Sequence, residues 1–275
     1  MNSDTVINRD WWDEVTPVHE ASAFYDVAGF LDGRNTLGTV ERQAVGDVAG
    51  RKLLHLQCHF GLDTLSWARL GADVVGIDFS PAALATAQRL TTQCSLESRA
   101  RFIEADVTTA GRLAGAPFDI VFTSLGVLVW ISDLDGWAAT IDANLADDGF
   151  FYILESHPLS MVFDESSPVP VVRYDYFQGT VPIQEPAGSP DYADPTYLIR
   201  SQARSFTWSL SDIFAALESR GLRVHEVREY PFGAWPQFPD MKEGEDGYWH
   251  RSADVPPLPL LLGFKARRQR SAGAG

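Results

Sequence analysis

Two acids stand at the ends of two apolar stretches whose lengths are typical of buried strands. Asp78 lies near the end of residues 73–79, and Asp106 ends residues 101–106. Carboxylates at the carboxyl ends of neighbouring strands in an open α/β sheet face a ligand crevice. The first could accept hydrogen bonds from ribose hydroxyls and the second from the exocyclic amine of adenine. The pair indicates a nucleoside-containing ligand; the alternative is that both acids only cap helices.

The residues before Asp78 predict one strand–loop–helix–strand unit. Residues 52–58 are a short apolar run, residues 62–70 carry apolar side chains at helical spacing, and Gly71 suits a helix C-cap. A dinucleotide site needs three loop glycines, because bare backbone must approach a pyrophosphate. Here Gln57 and His59 would crowd a pyrophosphate, so the loop favours a ligand that has ribose and adenine but no phosphate.

The stretch LHLQCHFGLDTL, residues 54–65, together with GIDFSP, residues 76–81, resembles motifs I and II of class I S-adenosylmethionine (SAM)-dependent methyltransferases. It is similar to a bacterial small-molecule subfamily in which LHLQCHFG replaces LDLGCGxG. His55 stands where an acid commonly follows the first leucine, and two loop glycines are missing. The resemblance implies SAM as cofactor, S-adenosylhomocysteine as product and no metal. The implied cofactor-binding residues are Gln57, His59, Gly61, Asp78, Phe79, Asp106, Val107 and Ser124.

The order of the predicted elements indicates an α/β fold. Ser80-Pro81 starts a helix, and further strands are expected at residues 118–124, 150–156, 222–230 and 258–265. The resemblance implies a Rossmann-like sheet of seven mostly parallel strands with helices on both faces, an antiparallel last strand, and a loop or β-ribbon insertion over the active site. The expected parts are an N-terminal cap (1–50), a SAM-binding core (51–158), an insertion roofing the substrate (159–205), the second half of the core sheet (206–268) and a flexible tail (269–275).

Two aromatic-rich regions have no clear periodicity. Residues 1–32 are predicted to be irregular, and they either lie across the cofactor or only cap the edge of the domain; a helix is expected at residues 39–48. Residues 158–205 contain seven prolines, which break any regular pattern, while their tyrosines argue against disorder. This second region is therefore predicted to cover the acceptor site.

Candidate residues for methyl transfer follow from these positions. His157 comes just after the fifth strand and could act as a general base, or could merely hydrogen-bond a loop. Glu155 could orient His157 or contact the acceptor, and Tyr25 is the third catalytic candidate. Trp130 either lies beside the methyl donor or anchors the next helix. The residues predicted to line the acceptor pocket are Trp130, Tyr174, Tyr176 and Trp235, with Trp249 as a further candidate.

Aromatic walls suit a flat apolar acceptor and tolerate a sulfonium cation. We therefore expect a small aromatic or heteroaromatic metabolite, indole- or phenol-like, methylated at oxygen, nitrogen or carbon. The resemblance points to natural product biosynthesis. The alternatives from other classes are an NAD(P)-dependent oxidoreductase and a SAM-binding protein without turnover.

Composition bounds the partners. The formal net charge of −15 disfavours nucleic acid, and the basic cluster at residues 265–270 is interpreted as a solvated tail. No signal-like or membrane-spanning apolar stretch is present, so we expect no membrane association. Two cysteines at unrelated positions fit a reducing cytoplasm. The sequence leaves open whether the chain works alone or as a homodimer.

Overall fold

The computed structural model describes residues 1–269. Its helices are α1 (Ser3–Ala21), α2 (Val27–Leu31), α3 (Thr39–Val45), α4 (Leu62–Arg69), α5 (Pro81–Gln93), α6 (Leu134–Asn144) and α7 (Leu210–Glu218). Its strands are β1 (Lys52–Leu56), β2 (Asp73–Asp78), β3 (Ala100–Glu104), β4 (Phe118–Thr123), β5 (Leu145–Ser156), β6 (Ile183–Glu185), β7 (Ala203–Ser205), β8 (Leu222–Tyr230), β9 (Phe232–Gly233), β10 (Lys242–Glu243), β11 (Trp249–His250) and β12 (Leu261–Arg268).

A seven-stranded sheet with the order β3-β2-β1-β4-β5-β12-β8 forms the centre of the protein. Strands β1 to β5 pair in parallel. Strand β12 lies between β5 and β8 and is antiparallel to both. This arrangement confirms the predicted Rossmann-like sheet and its antiparallel last strand. It also places the carboxyl ends of β1, β2, β3 and β4 along one edge, where the site residues lie.

Apolar side chains cover both faces of the sheet. On one face Trp137 of α6 and Phe264 of β12 belong to a fully buried cluster that also contains residues of α7. On the other face Trp67 of α4 packs against Phe122 of β4, with ring centroids 5.4 Å apart. Burying one such side chain contributes about 1.5–3 kcal/mol. The two layers hold the strand ends, and hence the site, in a rigid frame.

The N-terminal region is a helix, so the prediction that residues 1–32 are irregular is wrong. The Asn2 side chain accepts a hydrogen bond from the Thr5 backbone N–H and caps the start of α1. The buried face recurs at helical spacing but mixes polar and apolar side chains, including Asn8 and His19 beside Trp11. This mixture, together with Pro17 inside the helix, obscured the pattern in the sequence.

Two further regions can be compared with expectation. The insertion contains a two-stranded antiparallel ribbon of β6 and β7, as predicted. The last strand begins three residues later than expected and contains most of the basic cluster, so the interpretation of residues 265–268 as a solvated tail is wrong. Lys265 pairs with Glu226 at 3.1 Å, and Arg268 pairs with Asp142. The expected flexible tail falls, apart from residue 269, outside the described residues.

Across residues 1–269, no helix combines the length and the apolar character needed to cross a lipid bilayer.

Candidate active site

The loop that follows β1 has the backbone conformation of a glycine-rich loop although only one glycine is present. Gln57, His59 and Gly61 have φ angles of +53°, +49° and +83°. L-residues other than glycine rarely adopt this left-handed region, because Cβ then crowds the backbone. Gln57 and His59 stand where the motif has two glycines, yet both residues keep the left-handed backbone that glycine would adopt.

Asp78 at the end of β2 holds this loop in place. Its Oδ2 accepts a 2.8 Å hydrogen bond from the His59 backbone N–H, and its Oδ1 accepts a 2.9 Å bond from the Ser80 backbone N–H. Burial raises the pKa of Asp78 to about 6, although these backbone bonds act in the opposite direction. Each carboxylate oxygen has a second lone pair, so both could also accept from ribose hydroxyls.

Two buried oxygens at the same edge have no hydrogen-bond partner among the described residues. One is Oδ2 of Asp106, which has only a 3.8 Å ion-pair contact with the Met1 amino group, while its Oδ1 accepts from the Thr108 backbone and hydroxyl. The other is Oε1 of Gln57, whose amide nitrogen donates to the Val127 carbonyl at 3.2 Å. Buried acceptors without a hydrogen bond are costly. They fit SAM, which carries donors in its adenine amine and its methionine ammonium group.

His55 takes the position where the resembled motif usually has an acid. Its Nδ1 lies 2.8 Å from the Thr64 hydroxyl and its Nε2 lies 3.0 Å from the Ser124 hydroxyl. Burial lowers the pKa of His55 to about 3, so the ring is neutral at physiological pH. His55 thus connects α4 to Ser124 at the end of β4. Phe79 and Val107, the other two cofactor candidates, are buried beside Asp78 and Asp106 in the chain.

Glu155 is a structural anchor for the loop that follows β4. Its Oε1 accepts from the backbone N–H groups of Gly126 and Ser156 at 2.6 and 2.7 Å, and its Oε2 accepts from those of Val127 and Leu128 at 2.8 and 3.0 Å. Burial raises the pKa of Glu155, and the four N–H bonds oppose that shift. The predicted contact between Glu155 and His157 is not among these bonds.

Both ring nitrogens of His157 are already engaged. Nε2 lies 2.8 Å from Oε1 of Glu229, and Nδ1 accepts a 3.0 Å bond from the Leu159 backbone N–H. Nε2 therefore carries the ring proton and donates a hydrogen bond to Glu229. Burial lowers the pKa of His157, and Glu229 acts against this. His157 would have to lose its bond from the Leu159 backbone to accept a proton.

Helix α1 lies over the carboxyl edge and is fastened at both sides. Asp13 accepts a 2.5 Å hydrogen bond from the Ser80 hydroxyl at the start of α5. Glu14 accepts 2.8 Å bonds from the backbone N–H groups of Arg200 and Ser201, in a segment we call the strap, residues 186–205. Helix α1 is therefore held against the start of α5 and against the strap, and its position across the cofactor stays a prediction.

Aromatic side chains gather between α1 and the loop after β4. The Trp130 ring lies 4.9 Å from Trp11 and 5.2 Å from Trp12, measured between centroids, and Trp12 lies 4.9 Å from His59. Trp235 approaches Gly126 of the same loop, its ring lying 4.0 Å from where a Cβ of residue 126 would stand. Trp130 therefore packs against α1, which is neither of the two alternatives considered for it, and its place beside the methyl donor stays a prediction.

Three other candidates have different surroundings. The Tyr25 ring stacks on His19 at 5.2 Å and its hydroxyl bonds that of Tyr192; burial raises the pKa of Tyr25. Tyr174 lies under the Arg173 guanidinium, 5.1 Å from the ring centre. Tyr176 accepts a hydrogen bond from the Leu210 backbone N–H at the start of α7. The contacts of Tyr174 and Tyr176 do not connect them to the cluster around Trp130. Trp249, the further candidate, packs against a separate small cluster.

Several residues of this site were not predicted from the sequence. Trp12 and His19 belong to α1, and Asp191 and Tyr192 belong to the strap. His19 Nε2 lies 2.9 Å from Asp191 Oδ2, and its Nδ1 lies 3.1 Å from Nε2 of His59. The helical spacing of residues 8, 12, 15 and 19 was the one signal in the sequence that could have revealed His19.

Comparisons with known proteins agree with this geometry. Residues 54–151 match a family model described as a methyltransferase domain, which extends from β1 into β5. A comparison with curated protein sequences finds no match. Among solved structures, a SAM-dependent methyltransferase from Mesorhizobium loti is 21% identical with a TM-score of 0.57, over 86% of this chain and 100% of that one.

Two other solved structures share the fold. The glycopeptide N-methyltransferase MtfA, in complex with SAM, is 16% identical with a TM-score of 0.55, over 85% of this chain and 88% of that one. DhpI, in complex with S-adenosylhomocysteine, is 14% identical with a TM-score of 0.55, over 98% of both chains. These likenesses show that the protein has the Rossmann-like fold of SAM-dependent methyltransferases.

Proposed function

We propose that this protein is a SAM-dependent methyltransferase that methylates a small aromatic or heteroaromatic molecule. The observation that carries the proposal is the pair of buried oxygens without a hydrogen bond, Asp106 Oδ2 and Gln57 Oε1, on either side of Asp78 in the order of the strands. The methyltransferase-domain match over residues 54–151 supports the same reading.

In this proposal the residues of the loop edge hold the cofactor at both ends. Asp106 accepts from the adenine amine, Asp78 from the ribose hydroxyls and Gln57 from the methionine ammonium group. Side chains at positions 57 and 59 leave little bare backbone for a pyrophosphate, which disfavours a dinucleotide. When bound, SAM supplies an electrophilic methyl group on a sulfonium.

The acceptor would lie against Trp12 and Trp130, which contact each other, with Trp235 beside Gly126 of the loop after β4. Stacking on these rings favours a flat molecule such as a phenol or an indole. Glu155 holds the loop that carries Trp130 in one conformation, so the acceptor meets a preorganised wall. Holding two reactants in line contributes up to about 7–11 kcal/mol in well-aligned systems, so most of the rate enhancement can come from positioning.

The acceptor must also lose a proton, which requires a group that can act as a base. His157 stays a prediction as the base, and it would have to release the bond from the Leu159 backbone. One structural neighbour is by name a glycopeptide N-methyltransferase, so amines belong in the acceptor panel with phenols and indoles. We also propose a cytoplasmic location, in keeping with the two cysteines, Cys58 and Cys94, which are both free.

Titration calorimetry with SAM, S-adenosylhomocysteine and NAD(H) tests the cofactor. We expect saturable binding of SAM and its product; binding of NAD(H) without SAM would favour the oxidoreductase alternative. Incubation with SAM and a panel of phenols, indoles and amines, followed by mass spectrometry, tests the reaction. The expected product is heavier by one methylene unit. SAM binding with no product across the panel would favour a non-catalytic SAM-binding protein.

A further inference from the structure

Three titratable side chains from distant parts of the chain form a continuous hydrogen-bonded line into the loop after β1. Asp191 of the strap lies 2.9 Å from Nε2 of His19 in α1, and Nδ1 of His19 lies 3.1 Å from Nε2 of His59. His19 and Asp191 are 0% and 1% exposed, whereas His59 is only partly buried. We refer to Asp191, His19 and His59 as the relay.

The bonds of Asp191 define the direction of the relay. Its Oδ1 accepts from the backbone N–H groups of Ala193 and Asp194, and its Oδ2 faces His19. Burial acts to raise the pKa of Asp191, but the His19 bond and these backbone bonds together lower it. Asp191 is therefore a carboxylate at neutral pH, and it accepts a hydrogen bond from the N–H at Nε2 of His19.

This arrangement leaves one basic nitrogen at the far end of the relay. Because Nε2 of His19 donates to Asp191, Nδ1 of His19 is an acceptor. Nδ1 of His19 therefore accepts a hydrogen bond from the N–H at Nε2 of His59. Nδ1 of His59 then carries a lone pair, and no hydrogen bond within residues 1–269 engages it. The same logic of a carboxylate that orients an imidazole and stabilises its cation operates in hydrolytic triads.

The His59 ring lies at the boundary between the loop after β1 and the aromatic side chains of α1. The His59 backbone N–H bonds to Asp78, while its ring faces Trp12 at 4.9 Å and Tyr25 at 5.6 Å. Trp12 in turn contacts Trp130 at 5.2 Å. A flat acceptor placed against Trp12 and Trp130 would therefore be adjacent to the His59 ring.

We propose that His59 is the catalytic base of the methyl transfer, and that His19 and Asp191 are positioning residues that orient its ring and stabilise its positive charge. This role rests on the proposed function. The acceptor's O–H, N–H or C–H bond breaks and its proton moves to Nδ1 of His59. The acceptor's electron pair forms the bond to the methyl carbon, and the electrons of the C–S bond leave with sulfur, which becomes a neutral thioether.

The groups around the relay are compatible with this step. Asp78 lies beneath the His59 backbone, and the hydroxyls of Tyr25 and Tyr192 bond each other beside His19. Burial, and secondarily the neighbouring His19, lowers the pKa of His59 well below its ordinary value. The ring is therefore unprotonated, and able to accept a proton, throughout the neutral range.

The test starts from the His59→Asn variant, because asparagine tolerates the left-handed backbone at this position and should fold. With an acceptor identified from the panel of phenols, indoles and amines, we expect kcat to fall about 10²–10⁴-fold. The SAM dissociation constant should change less than about threefold. The low-pH limb of the pH–rate profile, on which the rate rises as the base loses its proton, should disappear. His225→Asn, an exposed histidine on β8, serves as the matched control and should retain the rate.

Asp191→Asn tests the positioning role without needing an acceptor. NMR titration of the histidine ring signals should show the His59 midpoint lowered further, because an opposite charge has been removed from the relay. An unmoved His59 midpoint would show that the relay is not coupled and would overturn the proposal.

The remaining outcomes separate the two proposals. Unchanged kcat in His59→Asn, or a loss of SAM affinity with kcat retained, would overturn the base role while the methyltransferase function stands. A loss of kcat and of the low-pH limb in His157→Gln but not in His59→Asn would assign the base to His157. Failure of the unaltered protein to bind SAM would overturn the function itself, and with it the base role.

Discussion

The backbone N–H of His59 donates a 2.8 Å hydrogen bond to Oδ2 of Asp78, across 19 residues of sequence. This bond joins the loop after β1 to the end of β2 and holds His59 in its left-handed conformation. One carboxylate therefore shapes the loop, and in the proposed function its remaining lone pairs would accept from a ribose. The loop can depart from the glycine-rich pattern because tertiary contacts stabilise a backbone that glycine would adopt freely.

Replacing Asp78 by Asn should weaken SAM binding about 10- to 100-fold, because a hydrogen bond to a charged group contributes about 1.5–3 kcal/mol. The affinity of the unaltered protein should rise as the pH increases through about 6, where this carboxylate ionises and becomes a better acceptor. Calorimetry between pH 5 and 8 measures both effects. Asp73→Asn, at the exposed start of β2, is the control and should keep the pH dependence that Asp78→Asn loses.

Replacing Gln57 by Gly should leave stability within about 1 kcal/mol of the unaltered protein, since relief of the left-handed strain offsets the added flexibility of the unfolded chain. SAM affinity should nevertheless fall, because Oε1 is removed. Ser95→Gly is the matched control: Ser95 has a φ of +56°, is exposed, and lies after α5, away from the loop. Equal SAM affinities for the two variants would contradict the assigned contact of Gln57.

Replacing Glu155 by Gln should lower the free energy of unfolding by at least about 1–3 kcal/mol. The backbone N–H groups of Gly126 and Val127 now donate to Glu155. In the variant, the side-chain amide N–H would face some of these backbone N–H groups, so that buried donors on both sides would be left without an acceptor. Urea denaturation measures the change, with Glu218→Gln on the exposed face of α7 as control. A variant as stable as the control would show that the loop after β4 does not depend on this carboxylate.

Replacing Glu14 by Gln should free the strap from α1. Burial acts to raise the pKa of Glu14, but its bonds from Ser201, Arg200 and Tyr197 outweigh that and lower it to about 2. The stability that Glu14 contributes is therefore complete above its ordinary pKa of 4.5 and is lost as the pH falls through about 2.

At neutral pH we expect Glu14→Gln to cost about 1–3 kcal/mol and to increase hydrogen exchange in residues 186–205 and in α1. The difference from the unaltered protein should shrink between pH 4.5 and pH 2. Glu20, which pairs with Arg89 of α5 at the same end of α1, offers the comparison variant Glu20→Gln. Exchange in the strap that rises equally in both variants would contradict a specific role for Glu14.

Much of the fold could be predicted from local pattern. The strand–loop–helix–strand unit around Gly61, the acids at the ends of β2 and near β3, and the Ser80-Pro81 helix start are all recorded in residue spacing and in capping chemistry. These features are predictable because strand burial, helix periodicity and caps depend on neighbours within a few residues.

The roles of individual site residues required the tertiary structure. Glu155 was a candidate for catalysis by its position near a strand end, yet it accepts backbone bonds from a loop 27–29 residues away in the chain. His157 is likewise engaged by Glu229, 72 residues later. Sequence spacing identifies a titratable group at a strand end, but it does not show which of its lone pairs other segments already use.

The relay could not be predicted from the sequence. The sequence alone determined the sheet and the acids at its carboxyl edge, because both follow from short-range patterns. Only the folded chain brings His19 within 2.9 Å of Asp191, 172 residues away, and within 3.1 Å of His59. Such contacts depend on how α1 and the strap pack across the sheet edge, and that packing is set by long-range burial and hydrogen bonding rather than by local periodicity.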